Sequence, residues 1–245
     1  MICNGRTKLF IYMKNLMLLF LLLTNIGLPA QQKLFHTYTD SVKLVKDANE
    51  LATAFFTKVK LADASITKVP QAILNTQPYL VFYTSENNTV NVPLWFQLNA
   101  DLQLFFSQLS AGNKSEGKKI FGLFFNGYYI ARELGHAVQF AKEKNKTNKY
   151  QGELFANTLA ILFWRESSNK KELEKCYNYV NSMLKILPDP VPAGEDEEDY
   201  FNKNYQKLAH EPGKYGYIQF SQFKRIYEDK SLPGFVTYLK NYSLR

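Results

Sequence analysis

Residues 122–131, GLFFNGYYIA, constrain the fold most, because a helix that is apolar on nearly every side has to lie inside a core. The run continues as RELGHAVQF (132–140), so Arg132, Glu133 and His136 belong to an element with little access to water. Charges placed there need partners or a ligand. One long helix is predicted over about 117–143, broken by KNKTNKY (144–150).

Each residue of a helix advances ~100°, so Arg132 and His136, four apart, share a face. Phe125, Tyr129 and Gln139 project within a narrow arc of that face, and Glu133 borders it. Gly135 is a weak helix former, costing about 1 kcal/mol against Ala. Its presence points to the close approach of a second backbone. QGELFANTLAILFWRES (151–167) is the next helix, with Glu153, Asn157, Ala160 and Trp164 on one face. A third is predicted over 169–187.

Upstream, SVKLVKDANELATAFFTKVKLA (41–62) has three-four apolar spacing and reads as an amphipathic helix. YLVFYT (79–84) and TVNVPLWFQL (89–98) read as two strands of a hairpin around the turn SENN. Pro93 lies inside the second run and favours an edge strand. The stretch around Pro70 and Pro78 reads as loop, and 100–110 as helix. PDPVPAGEDEED (188–199) is a connection whose acidic end lacks the spacing of a calcium loop and suits a helix N-terminus. Short helices follow to the end. The fold class predicted is α+β: mainly helical, with a small sheet or hairpin packed by the helix that carries Glu133 and His136.

The stretch 121–166 resembles the active-site core of the gluzincin-type zinc metallopeptidases. RELGH stands where that family has H-E-x-x-H, and ELFAN (153–157) where it has a glutamate on the following helix. The likeness spans about a fifth of the chain. It implies that Glu133 holds the general-base position, and that His136 and Glu153 hold two metal-ligand positions. It also implies that Asn157 supports the site from one turn further on. Arg132 occupies the first ligand position. A guanidinium keeps its proton and offers no lone pair, so it cannot bind zinc. Arg132 is expected instead to form a charge-assisted fork to Glu153 or Glu133, standing in for metal and ligand together. Tyr129, His210, Tyr215 and Tyr217 are candidates to line the cleft. His36 and His210 are the only other histidines available as a replacement ligand.

The N-terminus carries a different signal. MKNLMLLFLLLTNIGLPAQQ, from Met13, has a basic start, an apolar run and a small residue at Ala30, the grammar of a secretory signal. Residues 1–30 are therefore expected to be a signal peptide, with Met13 as an alternative start. Residues 31–245 are expected to form one metallopeptidase-like domain, secreted or periplasmic. The apolar run falls short of the ~20 residues of a membrane span. Cys3 would leave with the signal, so Cys176 would remain without a disulfide partner. The formal charge of +8 includes three basic residues in the first thirty. The remainder shows no basic tract of a nucleic-acid module.

The function this predicts is a secreted metallopeptidase-like protein with an impaired or inactive site, binding a peptide or protein ligand. Nucleic acid and a stable membrane span after signal cleavage are not expected. No cofactor is expected, and zinc only where the site is still functional. The alternatives are an active zinc hydrolase with an unusual ligand set and a secreted helical domain unrelated to peptidases.

Overall fold

The computed structural model describes residues 34–76, 80–142 and 148–243. The expected signal peptide and its cleavage point after Ala30 lie outside these residues. The fold is α+β and mainly helical, with one three-stranded sheet.

Helix α1 spans Ser41–Ala62. Asp40 caps it, its carboxylate accepting from the Val42 and Lys43 amides, as an N-cap should. Leu44, Ala48, Leu51, Phe55 and Val59 form its buried face, the three-four stripe read from sequence.

The sheet runs β1 (Gln71–Leu74), β3 (Thr89–Val92), β2 (Phe82–Thr84) in space. β2 and β3 are the antiparallel hairpin, with Tyr83 opposite Val90. β1 pairs parallel to β3, with Ala72 opposite Val90. The loop expected around Pro70 therefore contains a strand. Pro93 does not mark an edge: β3 is the middle strand, and it ends at Val92 before the proline. A proline has no amide proton to give a ladder, so it terminates the strand rather than displacing it outward. A single 3₁₀ turn, Trp95–Gln97, replaces the rest of the predicted second strand.

Side chains from helices occupy both outer edges of the sheet. On β1, Asn49 of α1 exchanges two hydrogen bonds with Ala72, accepting from its amide at 2.9 Å and donating to its carbonyl at 3.1 Å. On β2, the Tyr83 amide donates to the Glu133 carboxylate at 3.0 Å. Edge groups satisfied this way are poor templates for a further strand.

Helices α2 (Ala100–Gln108) and α3 (Lys114–Leu123) lead into a π-helical turn, Phe124–Tyr128, and then into α4 (Tyr129–Lys142). The single long helix read from sequence is thus interrupted once. At Asn126 the backbone leaves helical values, with φ −108° and ψ 19°. A π turn unpairs carbonyls that must find other donors. The Asn126 carbonyl accepts from the Phe35 amide at 3.0 Å, and the Asn126 side-chain amide donates to the Pro93 carbonyl at 2.9 Å. The bulge therefore ties the N-terminal segment and the end of β3 to the helix that carries the site.

α5 (Lys149–Arg165) follows, buried along most of its length. α4 and α5 touch through small residues. A Cβ at Gly135 would lie 2.9 Å from the Ala156 Cα, and one at Gly152 2.7 Å from the Gln139 amide nitrogen. Gly135 thus marks a close backbone approach. α6 (Lys170–Met183), α7 (Glu197–Ala209), α8 (Pro212–Glu228) and α9 (Phe235–Ser243) complete the chain. The acidic stretch enters α7, where Asp196 caps by accepting from the Asp199 amide at 2.9 Å. Cys176 is buried on α6. The apolar core is continuous from Leu34 to Leu239, with a satellite of Tyr150, Phe201, Leu208 and Ile218 between α5, α7 and α8. Among the described residues, no helix is long and apolar enough to cross a membrane.

Candidate functional site

A cleft of about 760 Å³ opens between β2, α2, α4, α5 and α8. Its polar floor is a cluster of four residues. Arg132, Glu133 and His136 come from α4 and Glu153 from α5. Arg132, Glu133 and Glu153 are only 7%, 4% and 6% exposed.

Arg132 bridges the two carboxylates. Its Nη1 donates to Glu133 Oε1 at 2.5 Å, and its Nη2 donates to Glu153 Oε2. The fork expected to reach one glutamate or the other reaches both. The other oxygen of Glu133 accepts from the Tyr83 amide, so β2, α4 and α5 meet at one guanidinium. Arg132 also lies 5.6 Å from the Tyr129 ring centroid and 3.5 Å from the Tyr215 hydroxyl. Its Nε is buried and has no partner among the described residues.

α8 contributes a residue that the sequence reading missed. Gln219 donates from Nε2 to Glu153 Oε2 at 3.1 Å, and its Oε1 accepts from Asn157 at 3.0 Å. The clue lay in GYIQFSQF (216–223): Gln219 and Gln222 fall on the apolar face of their helix, where an amide needs a buried partner. Asn157 lies one turn beyond Glu153, inside a neutral network. It accepts from the Tyr128 hydroxyl at 2.8 Å and donates to Gln222 at 2.9 Å as well as to Gln219. Gln139, placed on the Arg132–His136 face from sequence without a role, acquires one: its Oε1 lies 3.0 Å from His136 Nδ1 and orients the ring.

Burial sets the electrostatics. It raises the Glu133 carboxyl above its ordinary value, opposed by the Arg132 charge and the Tyr83 amide. Burial disfavours the charged form of Arg132, but the surrounding acids, Glu133 foremost, more than offset this and its pKa rises. Burial likewise raises the phenols of Tyr129 and Tyr215, the Arg132 charge working against it. Both tyrosines stay protonated and can donate.

Tyr129 and Tyr215 line the cleft. His210 and Tyr217 do not. His210 is exposed at the end of α7, with Nδ1 2.7 Å from the Gln206 carbonyl. That bond turns it toward its own helix rather than toward the cleft. Tyr217 packs on the satellite cluster. On α8 it is two residues from Tyr215 and hence on another face.

A catalytic zinc does not fit these residues. Two ligands ~2.1 Å from a tetrahedral ion stand about 3.4 Å apart, and His136 Nε2 and Glu153 Oε2 are 3.7 Å apart. That spacing alone would suit two ligands of one ion. Arg132 Nη2, however, already holds that Oε2, and its positive charge repels a second cation. Two donors are also one short of the three protein ligands that catalytic zinc requires. Neither other histidine supplies the third, because His36 is stacked on Tyr38 away from the cleft and His210 is outside it. Among the described residues, no group of three or more His, Cys, Asp or Glu is arranged to hold a metal ion.

The arrangement offers fixed charge and hydrogen-bonding groups at the base of an aromatic-walled opening. Comparison with protein-family models, with curated proteins and with solved structures finds no match to this chain, so the functional reading rests on these residues alone.

Proposed function

We propose that this chain is a metallopeptidase-like binding protein in which an Arg-centred ion-pair cluster takes the place of the metal. The supporting observation is the Arg132 guanidinium bridging Glu133 and Glu153 at the floor of the cleft. In the gluzincin-like pattern those three positions are first ligand, general base and third ligand. With arginine in the first position, the two acids are neutralised by a covalently attached cation rather than by an ion. The cluster then holds α4 to α5 and leaves the cleft to receive a peptide or protein ligand. The expected signal peptide would make the protein secreted or periplasmic.

Two measurements test this. Elemental analysis of the dialysed protein is expected to find no stoichiometric zinc; one zinc per chain retained through dialysis would overturn the reading. Arg132→His is expected to bind one zinc per chain, because His136 and Glu153 already have the spacing and Gln139 orients the His136 ring. If Arg132→His folds and takes up none, more than one ligand position is foreign to a zinc site and the metallopeptidase likeness loses its support.

A further inference from the structure

Arg132 sets one permanent positive charge against two carboxylates, Glu133 and Glu153, and His136 Nε2, 3.7 Å from Glu153 Oε2, adds a second only when protonated. With His136 neutral one negative charge is left over, and it has a location. Both oxygens of Glu133 are engaged, one by Arg132 and one by the Tyr83 amide. Glu153 differs: Arg132 Nη2, Gln219 Nε2 and His136 Nε2 all approach Oε2. Among the described residues, no donor reaches its Oε1. The residue is more than nine-tenths buried and lines the cleft, and Oε1 is not among the buried unpartnered atoms, so this oxygen opens onto the cleft.

The nearest lysine does not fill the position: Lys149, one turn before Glu153 on α5, holds its ammonium 5.8 Å from the Tyr205 ring centroid and makes no bond to Glu153. The Tyr83 amide of the edge strand is spent on Glu133, so an extended ligand cannot use it to add a strand to β2. A ligand must therefore reach the floor with a head group. Above the floor stand the rings of Phe125, Tyr129, Tyr205, Tyr215 and Phe220, whose faces attract cations as well as apolar groups.

We infer that the cleft binds its ligand through an ammonium group carried on an apolar body. The ammonium donates to Glu153 Oε1 and the body packs among the aromatic rings. This rests on the cleft being a metal-free binding site, as proposed above. The ammonium neutralises the surplus charge, and a charge-assisted hydrogen bond in a buried setting is stronger than a neutral one. A carboxylate head would meet a net negative floor, and an amide head would leave the charge unbalanced.

Isothermal titration of the purified chain with 2-phenylethylamine, N-acetyl-2-phenylethylamine and 3-phenylpropionate separates these heads on one body. The amine is expected to bind at least about tenfold more tightly than either analogue, the difference expected of a hydrogen bond to a charged group. Glu153→Gln is expected to erase that preference. Lys149→Gln, a change at an exposed site, is expected to keep it and strengthen amine binding two- to threefold, roughly the effect of removing one nearby like charge. Equal binding of all three, or preference for the carboxylate, overturns the ammonium assignment and leaves the binding cleft standing. If none binds, and a random peptide pool is also not retained, both readings fall. Phenylalanyl-alanine amide against an N-acetylated peptide with an internal lysine then shows whether a chain terminus or a lysine side chain supplies the ammonium.

Discussion

Glu153 and Asn157 sit one turn apart on the same face of α5, and Gln219 bonds to both, yet they anchor networks of opposite character. The Asn157 network is neutral and closed. Its carbonyl accepts from Tyr128 and its amide donates to two glutamines, all fully buried or nearly so. The Glu153 network is charged and open. It leaves Arg132 Nε and Glu153 Oε1 without protein partners among the described residues, and it faces the cleft. A satisfied neutral network serves folding, since nothing is left for a ligand to complete. A charged network with vacancies stabilises less than its members could, and such incompletely satisfied groups concentrate at functional sites. The same helix face thus passes from a closed neutral network to an open charged one within ~5.4 Å of rise.

Substitutions can break this contrast. The largest effect is expected from Arg132→Met, which leaves two buried carboxylates without their cation. Breaking a buried pair by removing one partner costs about 3–5 kcal/mol, to be read from urea unfolding at pH 7.5. The loss should shrink on acidification. Burial already holds the Glu133 carboxyl above its ordinary 4.5 in the folded chain, and loss of Arg132 raises it further. The folded state then binds more protons than the unfolded state between 4.5 and that raised value, so stability falls as pH rises through this window. A cost under about 1 kcal/mol at pH 7.5 would mean the charges are solvated and the cluster is not a buried unit.

Asn157→Leu attacks the neutral network and is expected to cost about 2–3 kcal/mol, through unsatisfied Tyr128, Gln219 and Gln222. Its cost should be flat between pH 5 and 8, where none of these groups titrates. A pH-dependent cost would show that the two networks are electrically one. Gly135→Ala is expected to cost about 1 kcal/mol in thermal unfolding, the strain against Ala156 outweighing the helical gain. If it stabilises, the α4–α5 approach is looser than 2.9 Å implies. Tyr215→Phe removes one long hydrogen bond from Arg132 and should change stability by less than about 0.5 kcal/mol, while reducing ligand affinity in the cleft. A larger loss of stability would place Tyr215 among the groups that hold the cluster together.

Much of this was legible from local pattern. The bounds of α1 follow from Asp40 and the apolar stripe, both short-range signals. That Glu133, His136 and Glu153 meet across two helices was what the gluzincin likeness implied, while Gly135 signalled by itself only the close approach of a neighbouring backbone. The parts that were not legible depend on distant chain. QAIL is too short to declare itself a strand until β3 lies beside it. Pro93 reads as an edge marker when the length of β3 is unknown, and as a terminator once Val92 is its last residue. Gln219 and Tyr215 reach the site from more than sixty residues beyond Glu153, and no periodicity encodes that distance. The π turn was hidden because the apolar pattern of 122–131 continues unbroken across it.

That turn sets a gearing between the two halves of the interrupted helix. It holds one residue more than an α turn, so everything after Tyr128 is rotated by ~100° relative to an unbroken helix built from α3. Deleting a single residue from 124–128 would let the helix close into regular register. The apolar composition would hardly change, yet Arg132, Glu133 and His136 would swing away from Glu153 together. The site is therefore keyed to an insertion several residues upstream of its first member, and a chain lacking that residue could keep the fold's helices while losing the cleft's chemistry in one step.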